Sequence, residues 1–214
     1  MGQYYVPVII SVDGESKRLN SHAFDSGLKL MEHSWVGNEF VNAVISRIHN
    51  QRAVIAWIGD YSNDSKKDYE TGEEPFTRTL PHKEFMKYYR LAWGDRKKNI
   101  IAPSEFSEQD CNIFTHDTRG MFLINHTEKR YLDLTKYIED CRVKDKTEDY
   151  YWCVNPLPLL TACGNGRGGG DYHEEHPCYK DVGSWAFHTL EYTDRIPDGY
   201  AEAVFTFAEY WMAA

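Results

Sequence analysis

The sequence predicts an α+β domain: a mixed, mainly antiparallel sheet with two or three helices, opening β-β-α-β. Three observations carry this. Short β-branched and aromatic runs are punctuated by turn dipeptides such as Asp13-Gly14. One segment, Phe40 to Ile48, places its apolar residues at helical spacing. A hydrophobic fraction of 42% is enough for a packed core and excludes disorder as the general state. At 214 residues, with no internal repeat, low-complexity tract or linker, the chain reads as one globular domain over 1–214.

Tyr4 to Val12 is the first strand, and Asp13-Gly14 turns it into a second run from Lys17 through Phe24. Pro7 inside the first strand predicts an edge position or a bulge, because proline has no N–H for a ladder. Behind Gly37-Asn38, the residues Phe40, Val41, Val44, Ile45 and Ile48 form the clearest amphipathic helix, ending near Asn50. Ala53 to Ile58 then reads as a buried strand stopped by Gly59-Asp60. The polar, aperiodic stretch Tyr61 to Thr77 is a surface loop.

A second helix is expected from about Pro81 to Trp93, capped by Thr79 and ended by Gly94. Gly120 to Ile124 and Arg130 to Leu134 flank a polar turn and make a second hairpin, after which Thr135 caps a short helix through Cys141. Tyr151–Val154 and Leu157–Cys163 are apolar and lead into a glycine run. Ser184 to Tyr192 is a further strand, and Ala201 to Trp211 is undecided between strand and helix.

The formal charge of -9, from 33 acidic against 24 basic residues, argues against direct nucleic-acid binding. The densest basic cluster, Arg96-Lys97-Lys98, reads as solvated loop charge. Five cysteines, an odd number without CxxC spacing, point to reduced thiols in the cytoplasm. No apolar run approaches the roughly 20 residues that span a bilayer, so no membrane partner is expected.

The glycine run Gly164-Asn165-Gly166-Arg167-Gly168-Gly169-Gly170-Asp171-Tyr172 carries the most distinctive chemistry. Its exposed N–H groups can form an anion nest, completed by the Arg167 fork. It lacks the GKS/T of a P-loop and the helix and distal acid of a dinucleotide fingerprint. A tightly turned surface loop is the competing reading. Gly166, Arg167, Gly168, Gly169, Asp171 and Tyr172 are therefore the candidate ligand-binding residues. Asp60 at a strand end and His33 are candidates to join them, with Glu32, in one cleft, against the narrowly stronger reading that Gly59-Asp60 simply terminates the strand as a turn.

Downstream, His173, His176 and Cys178 are candidate zinc ligands, although the spacing fits no standard motif, a fourth ligand is missing, and a solvent-facing loop competes with the metal site. His116-Asp117-Thr118 matches one HxT element of two-histidine phosphoesterases, but no second element occurs. No GxSxG elbow and no Cys/His pair is evident, and Cys153 and Cys163 read as inert core thiols. No cofactor is indicated.

The segments Met1 to Val8, Gly27 to Ser34, Trp57 to Tyr61, Asn125-His126-Thr127 and Pro156 to Ala162 with the glycine run together resemble a family of bacteriophage and mobile-element proteins of gut-type bacteria, whose activity is not established. The resemblance spans nearly the whole chain. It implies a genomic setting rather than a mechanism. Taken with the acidic charge and the absence of a complete catalytic constellation in the sequence, it makes the first expectation a non-enzymatic accessory protein in the cytoplasm of a bacterial host, binding a host defence protein or a small anionic ligand. Two alternatives stand beside it: a nucleotide- or phosphate-binding protein using the 164–172 loop, and a metal-assisted hydrolase or phosphodiesterase.

Overall fold

Strand Tyr5–Ser11 (β1) reverses through Gly14, which takes φ +85° at no steric cost, and returns as Ser16–Arg18 (β2). The pairing is antiparallel, with Val8 opposite Arg18 and Ile10 opposite Ser16. The computed structural model describes residues 3–62, 80–94, 98–141, 143–144, 151–164, 179–205 and 207. Within them follow the helix Glu39–Ser46 (α1), the strand Ala53–Gly59 (β3) and the helix His82–Trp93 (α2), so the opening is β-β-α-β. After a single helical turn, Glu108–Cys111 (α3), come the hairpin Phe122–Asn125 (β4) and Arg130–Asp133 (β5), and then the helix Leu134–Cys141 (α4). The two-residue strands Val143–Lys144 (β6) and Tyr151–Trp152 (β7) pair with each other. A short helix Pro156–Leu160 (α5) and the strands Ala162–Cys163 (β8), Thr189–Thr193 (β9) and Ala201–Glu202 (β10) complete the order.

The main sheet runs β10-β5-β4-β9-β3-β1-β2, with β8 also paired to β3. Most pairs are antiparallel; β10–β5 and β3–β8 are parallel. Strand β3 is the axis. On one side it pairs with β1 along its whole length. Its other side is shared, β9 taking Ala53 and Val54 while β8 takes Trp57 and Ile58.

Both faces of β3 are covered, which is why its sequence reads as an unbroken apolar run. Ala53, Ile55 and Trp57 join the core that holds α1, through Phe40, Val41 and Val44. Ala56 and Ile58 join the second core with Val6, Val8 and the α2 residues Phe85, Tyr88 and Ala92. The alternation is that of a strand between two helical layers.

Helix α1 starts where Asn38 accepts the Val41 N–H at 3.1 Å, while its amide donates to Ser26 Oγ at 3.2 Å. Asn38→Ala is expected to cost about 1–2 kcal/mol, as read from the urea midpoint, because it removes the cap and the Ser26 contact together.

Several elements differ from the sequence expectation. The second run is a strand only over Ser16–Arg18; Ser21–Phe24 is a 3₁₀ turn, because Asn20 caps it through the His22 N–H. Pro7 lies in an inner strand, not at an edge. The pairing with β2 begins at Val8, and Trp57, opposite Pro7, donates its N–H to Thr161 O at 2.8 Å, so this pair needs no N–H from Pro7. Asp133, not Thr135, caps α4, accepting the Thr135 and Lys136 N–H groups at 2.9 and 3.2 Å. The strand expected from Ser184 begins only at Thr189, since Gly183 at φ +77° and Phe187 at φ +62° turn the chain before it. Leu157 to Leu160 are helical, initiated by Asn155, whose Oδ1 accepts the Leu157 N–H at 3.1 Å. The undecided segment starts as strand, at Ala201–Glu202. Its end, residues 208–211, and Thr79 lie outside the described residues.

Among the described residues no helix is long and apolar enough to cross a membrane. Cys111 and Cys163 are free thiols. Burial pushes the Cys163 thiol up to about 12, so the nucleophilic thiolate is suppressed.

Candidate functional site

Of the residues singled out in the sequence, Gly166, Arg167, Gly168, Gly169, Asp171, Tyr172, His173, His176 and Cys178 lie outside the described residues. Their starting point does not. Gly164 follows β8 directly, beside the end of the parallel strand β3 at Gly59, so the run leaves the sheet at the carboxyl edge of the β3–β8 pair. Asp60 stands at the same edge. Its Oδ1 accepts the Tyr4 N–H at 3.1 Å, and its own N–H donates to Tyr4 O at 3.0 Å. Partial burial pushes its carboxyl above the usual range, offset in part by the Tyr4 N–H. Tyr89 Oη donates to Asp60 O and Trp93 Nε1 donates to Ile58 O, so α2 is tied to this strand end.

His33 sits elsewhere in the fold, in the α1-side core. Its ring is fully buried and stacks with Trp57 and edge-on with Phe40. Nε2 accepts from Trp57 Nε1 at 3.1 Å, which leaves Nδ1 as the donor to Gly27 O at 3.0 Å. Both nitrogens are satisfied in the neutral form, and burial lowers the pKa to about 4. Glu32, its neighbour, turns to the backbone N–H of Lys29 at 3.0 Å.

A polar network that the sequence did not indicate lies where the β4–β5 turn meets β9. His126 Nε2 meets Glu191 Oε2 at 2.8 Å, and its Nδ1 meets Tyr200 Oη at 2.9 Å. The carboxylate only accepts, so Nε2 carries the proton and Nδ1 accepts from the tyrosine. Next to it, Asn125 Oδ1 accepts the Thr127 and Glu128 N–H groups, which forces its amide nitrogen to face His188 Nδ1 at 2.9 Å. His188 is thereby held neutral with its proton on Nε2, and burial pushes its pKa down. The only signal was Asn125-His126-Thr127 in a hairpin turn; the His126 partner Glu191 is 65 residues away in sequence. Among the described residues no group of three His, Cys, Asp or Glu is placed to hold a metal ion.

Three surface concavities differ in how their charges are compensated. One, of about 420 Å³, includes Lys17, Arg47 and Arg52. Each is already ion-paired: with Glu15 at 3.4 Å, Glu105 at 3.5 Å and Glu191 at 3.7 Å. A second, of about 630 Å³, contains Arg195 beside Asp194, 3.7 Å away, together with Asp198 and Glu191. The third, of about 400 Å³, is a groove between the β1–β2 turn and the outer face of α2. Gly14 and Ser16 form part of it, Tyr88 and Leu91 give apolar surface, and Lys87, Arg90 and Lys98 give positive charge.

The sequence builds this groove locally. The α2 stripe Phe85, Tyr88 and Ala92 is buried, so the intervening Lys87 and Arg90 are held outward at helical spacing. Arg18 on β2 reaches across to donate to Ala92 O at 2.9 Å, fastening the hairpin to the last turn of α2. Its backbone also brackets the next segment: Arg18 N–H donates to Asn99 O and Ile101 N–H donates to Arg18 O, both at 2.9 Å. Lys98 is thereby brought alongside α2. Lys87 and Arg90 make no ion pair among the described residues; Lys87 Nζ lies 5.3 Å from the Tyr88 ring centre. The one acid of the groove, Glu15, is paired with Lys17.

Compared with protein-family models, curated proteins and solved structures, the chain has no significant match. The α2 groove is therefore judged on its own chemistry, and on that basis it is the leading candidate site.

Proposed function

We propose that the chain is a non-enzymatic binding protein that takes an acidic segment of a protein partner into the α2 groove. The observation that carries this is the positive charge of Lys87 and Arg90, which make no ion pair among the described residues, in a concavity of a chain whose formal charge is -9. At physiological ionic strength the Debye length is about 8 Å, so the distant acids are screened while these two side chains act on a bound segment at close range. Tyr88 and Leu91 add the apolar contact that a peptide side chain needs. The resemblance to bacteriophage and mobile-element proteins gives the reading its setting: a host defence protein as the partner, in the cytoplasm of a bacterial host.

Titrating a fluorescein-labelled, Glu-rich peptide of about a dozen residues with one tyrosine should give saturable anisotropy that weakens as salt rises. Lys87→Glu with Arg90→Glu is expected to weaken it about tenfold or more, by replacing attraction with repulsion at two points. Equal affinity of the double variant, or equal binding of a Lys-rich peptide, contradicts the proposal.

A further inference from the structure

The junction of the β4–β5 turn with β9 holds an arrangement that acid cannot leave unchanged. Asn125 has no exposed surface, and two backbone donors fix its amide: Oδ1 accepts the Thr127 and Glu128 N–H groups at 3.0 and 3.1 Å. A turned amide would set Nδ2 against those same N–H groups, so it is Nδ2 that donates to His188 Nδ1, at 2.9 Å. That contact exists only while Nδ1 carries no proton. A second partner lies beside it. Glu128 Oε1 is 3.9 Å from the same nitrogen, beyond hydrogen-bond reach. The ring thus has one partner for each protonation state, an amide donor for the neutral form and a carboxylate for the charged one.

The surroundings leave this pair to decide the outcome. Among the described residues, Glu128 is the charged group set against His188. Strand β3 contributes the apolar Val54 and Ile55 at this level, and Ile55 O accepts the Phe187 N–H at 3.0 Å. From α2, Phe85 and the phenol Tyr88 pack on the Phe187 ring. Phe187 holds φ +62°, a left-handed conformation that bulky side chains avoid, so the backbone leading into His188 stays in place only while its contacts hold. Burial disfavours the charged ring and Glu128 favours it. The neighbouring histidine is built differently. A protonated His126 would donate from Nδ1 to Tyr200 Oη, a hydroxyl that turns from donor to acceptor, while Nε2 stays on Glu191. Of the two histidines, only His188 is in conflict with acid.

We propose that His188 is an acid-triggered switch of the β4–β5 turn. A proton from solvent binds Nδ1, the Asn125 amide becomes a second donor facing it, and the imidazolium ring swings to the Glu128 carboxylate. Asn125 Nδ2 is then a buried donor without an acceptor, and the closed form of the turn is disfavoured. The Thr189 N–H to Thr127 Oγ1 bond, 3.0 Å long, loosens with it, and so does the joint between the turn and β9. The device is separate from the α2 groove and stands or falls by itself.

Side-chain and backbone ¹H–¹⁵N NMR of the full chain, from neutral pH into mild acid, tests it on wild type and Glu128→Gln. His188 should protonate at Nδ1 below pH 6.5, because burial opposes the charge. The amide signals of Thr127, Glu128 and Thr189 should move with the same midpoint, while those of Val41 and Val44 on α1 keep their folded positions. Glu128 is exposed, so Glu128→Gln is expected to fold as wild type does at neutral pH. Its His188 should bind the proton about threefold more weakly, for the loss of one partly solvated charge. Turn signals that stay still while His188 protonates overturn the proposal, as does an unchanged His188 midpoint in Glu128→Gln. A His188 that stays neutral until the spectrum becomes that of the unfolded chain overturns it too.

Discussion

Trp57→Ala is expected to lower the unfolding free energy by about 3–5 kcal/mol, the range for deleting a buried tryptophan. Trp57 has no exposed surface and sits on β3, with Phe40 and His33 rings 6.3 Å from its own. The loss has two parts, and a second variant separates them. Alanine opens a cavity and also leaves His33 Nε2 without its donor. Trp57→Phe keeps most of the apolar surface while removing the indole N–H and a part of the ring, so a smaller loss of about 1–2 kcal/mol is expected there, chiefly for one buried acceptor left unmet. Urea unfolding at neutral pH reads both. Equal losses in the two variants would mean that the hydrogen bond, and not the packing, dominates this position.

Mild acid is the second large effect. His33 titrates at about 4 in the fold against 6.5 as a free side chain, so between those values the unfolded chain binds a proton that the folded chain refuses. The stability this residue supplies is complete above pH 6.5 and is lost as pH falls from 6.5 toward 4. The shift corresponds to about 3 kcal/mol. His188, also lowered by burial, acts in the same direction. Asp60 and Asp181, whose carboxyls burial pushes up, act in the opposite direction as pH approaches their raised values. Urea midpoints taken in small steps from neutral pH into mild acid should fall steeply below 6.5. The His33 imidazole should give a neutral-form ¹⁵N spectrum at a pH of about 5.5, midway in that window. A flat stability profile together with a protonated His33 at that pH contradicts the assignment.

How far the residues announced this fold follows from the range of the forces involved. The α1 stripe, the Asp13-Gly14 hairpin and the buried strand β3 are local patterns, and they were legible. The position of Pro7 was not, because whether a strand is inner or outer depends on which distant segments join it, here β3 and the end of β2. His33 and Asp60, candidates for one cleft, illustrate the same limit. The first is enclosed by Trp57 and Gly27, the second stands at a strand edge with Tyr4, and nothing in their spacing distinguishes a core imidazole from a ligand.

The candidate site was legible only in part. Lys98 was noticed within a basic cluster and read as solvated charge. Its neighbours Lys87 and Arg90 lie earlier, on α2, and the wall opposite them comes from the β1–β2 turn. The Arg18 side-chain clamp on Ala92, a contact across 74 residues, and the Arg18 backbone bonds to Asn99 and Ile101 bring these pieces together.

The central claim is that the α2 groove receives an acidic peptide, and backbone ¹H–¹⁵N shift mapping during titration with the Glu-rich peptide tests it most directly. The account predicts saturable shifts centred on Gly14, Ser16, Lys87, Arg90, Leu91, Lys98 and Asn99, with the residues around Arg47 and Arg195 unmoved. Shifts centred on either of those other concavities, or no shifts at millimolar peptide, would contradict it.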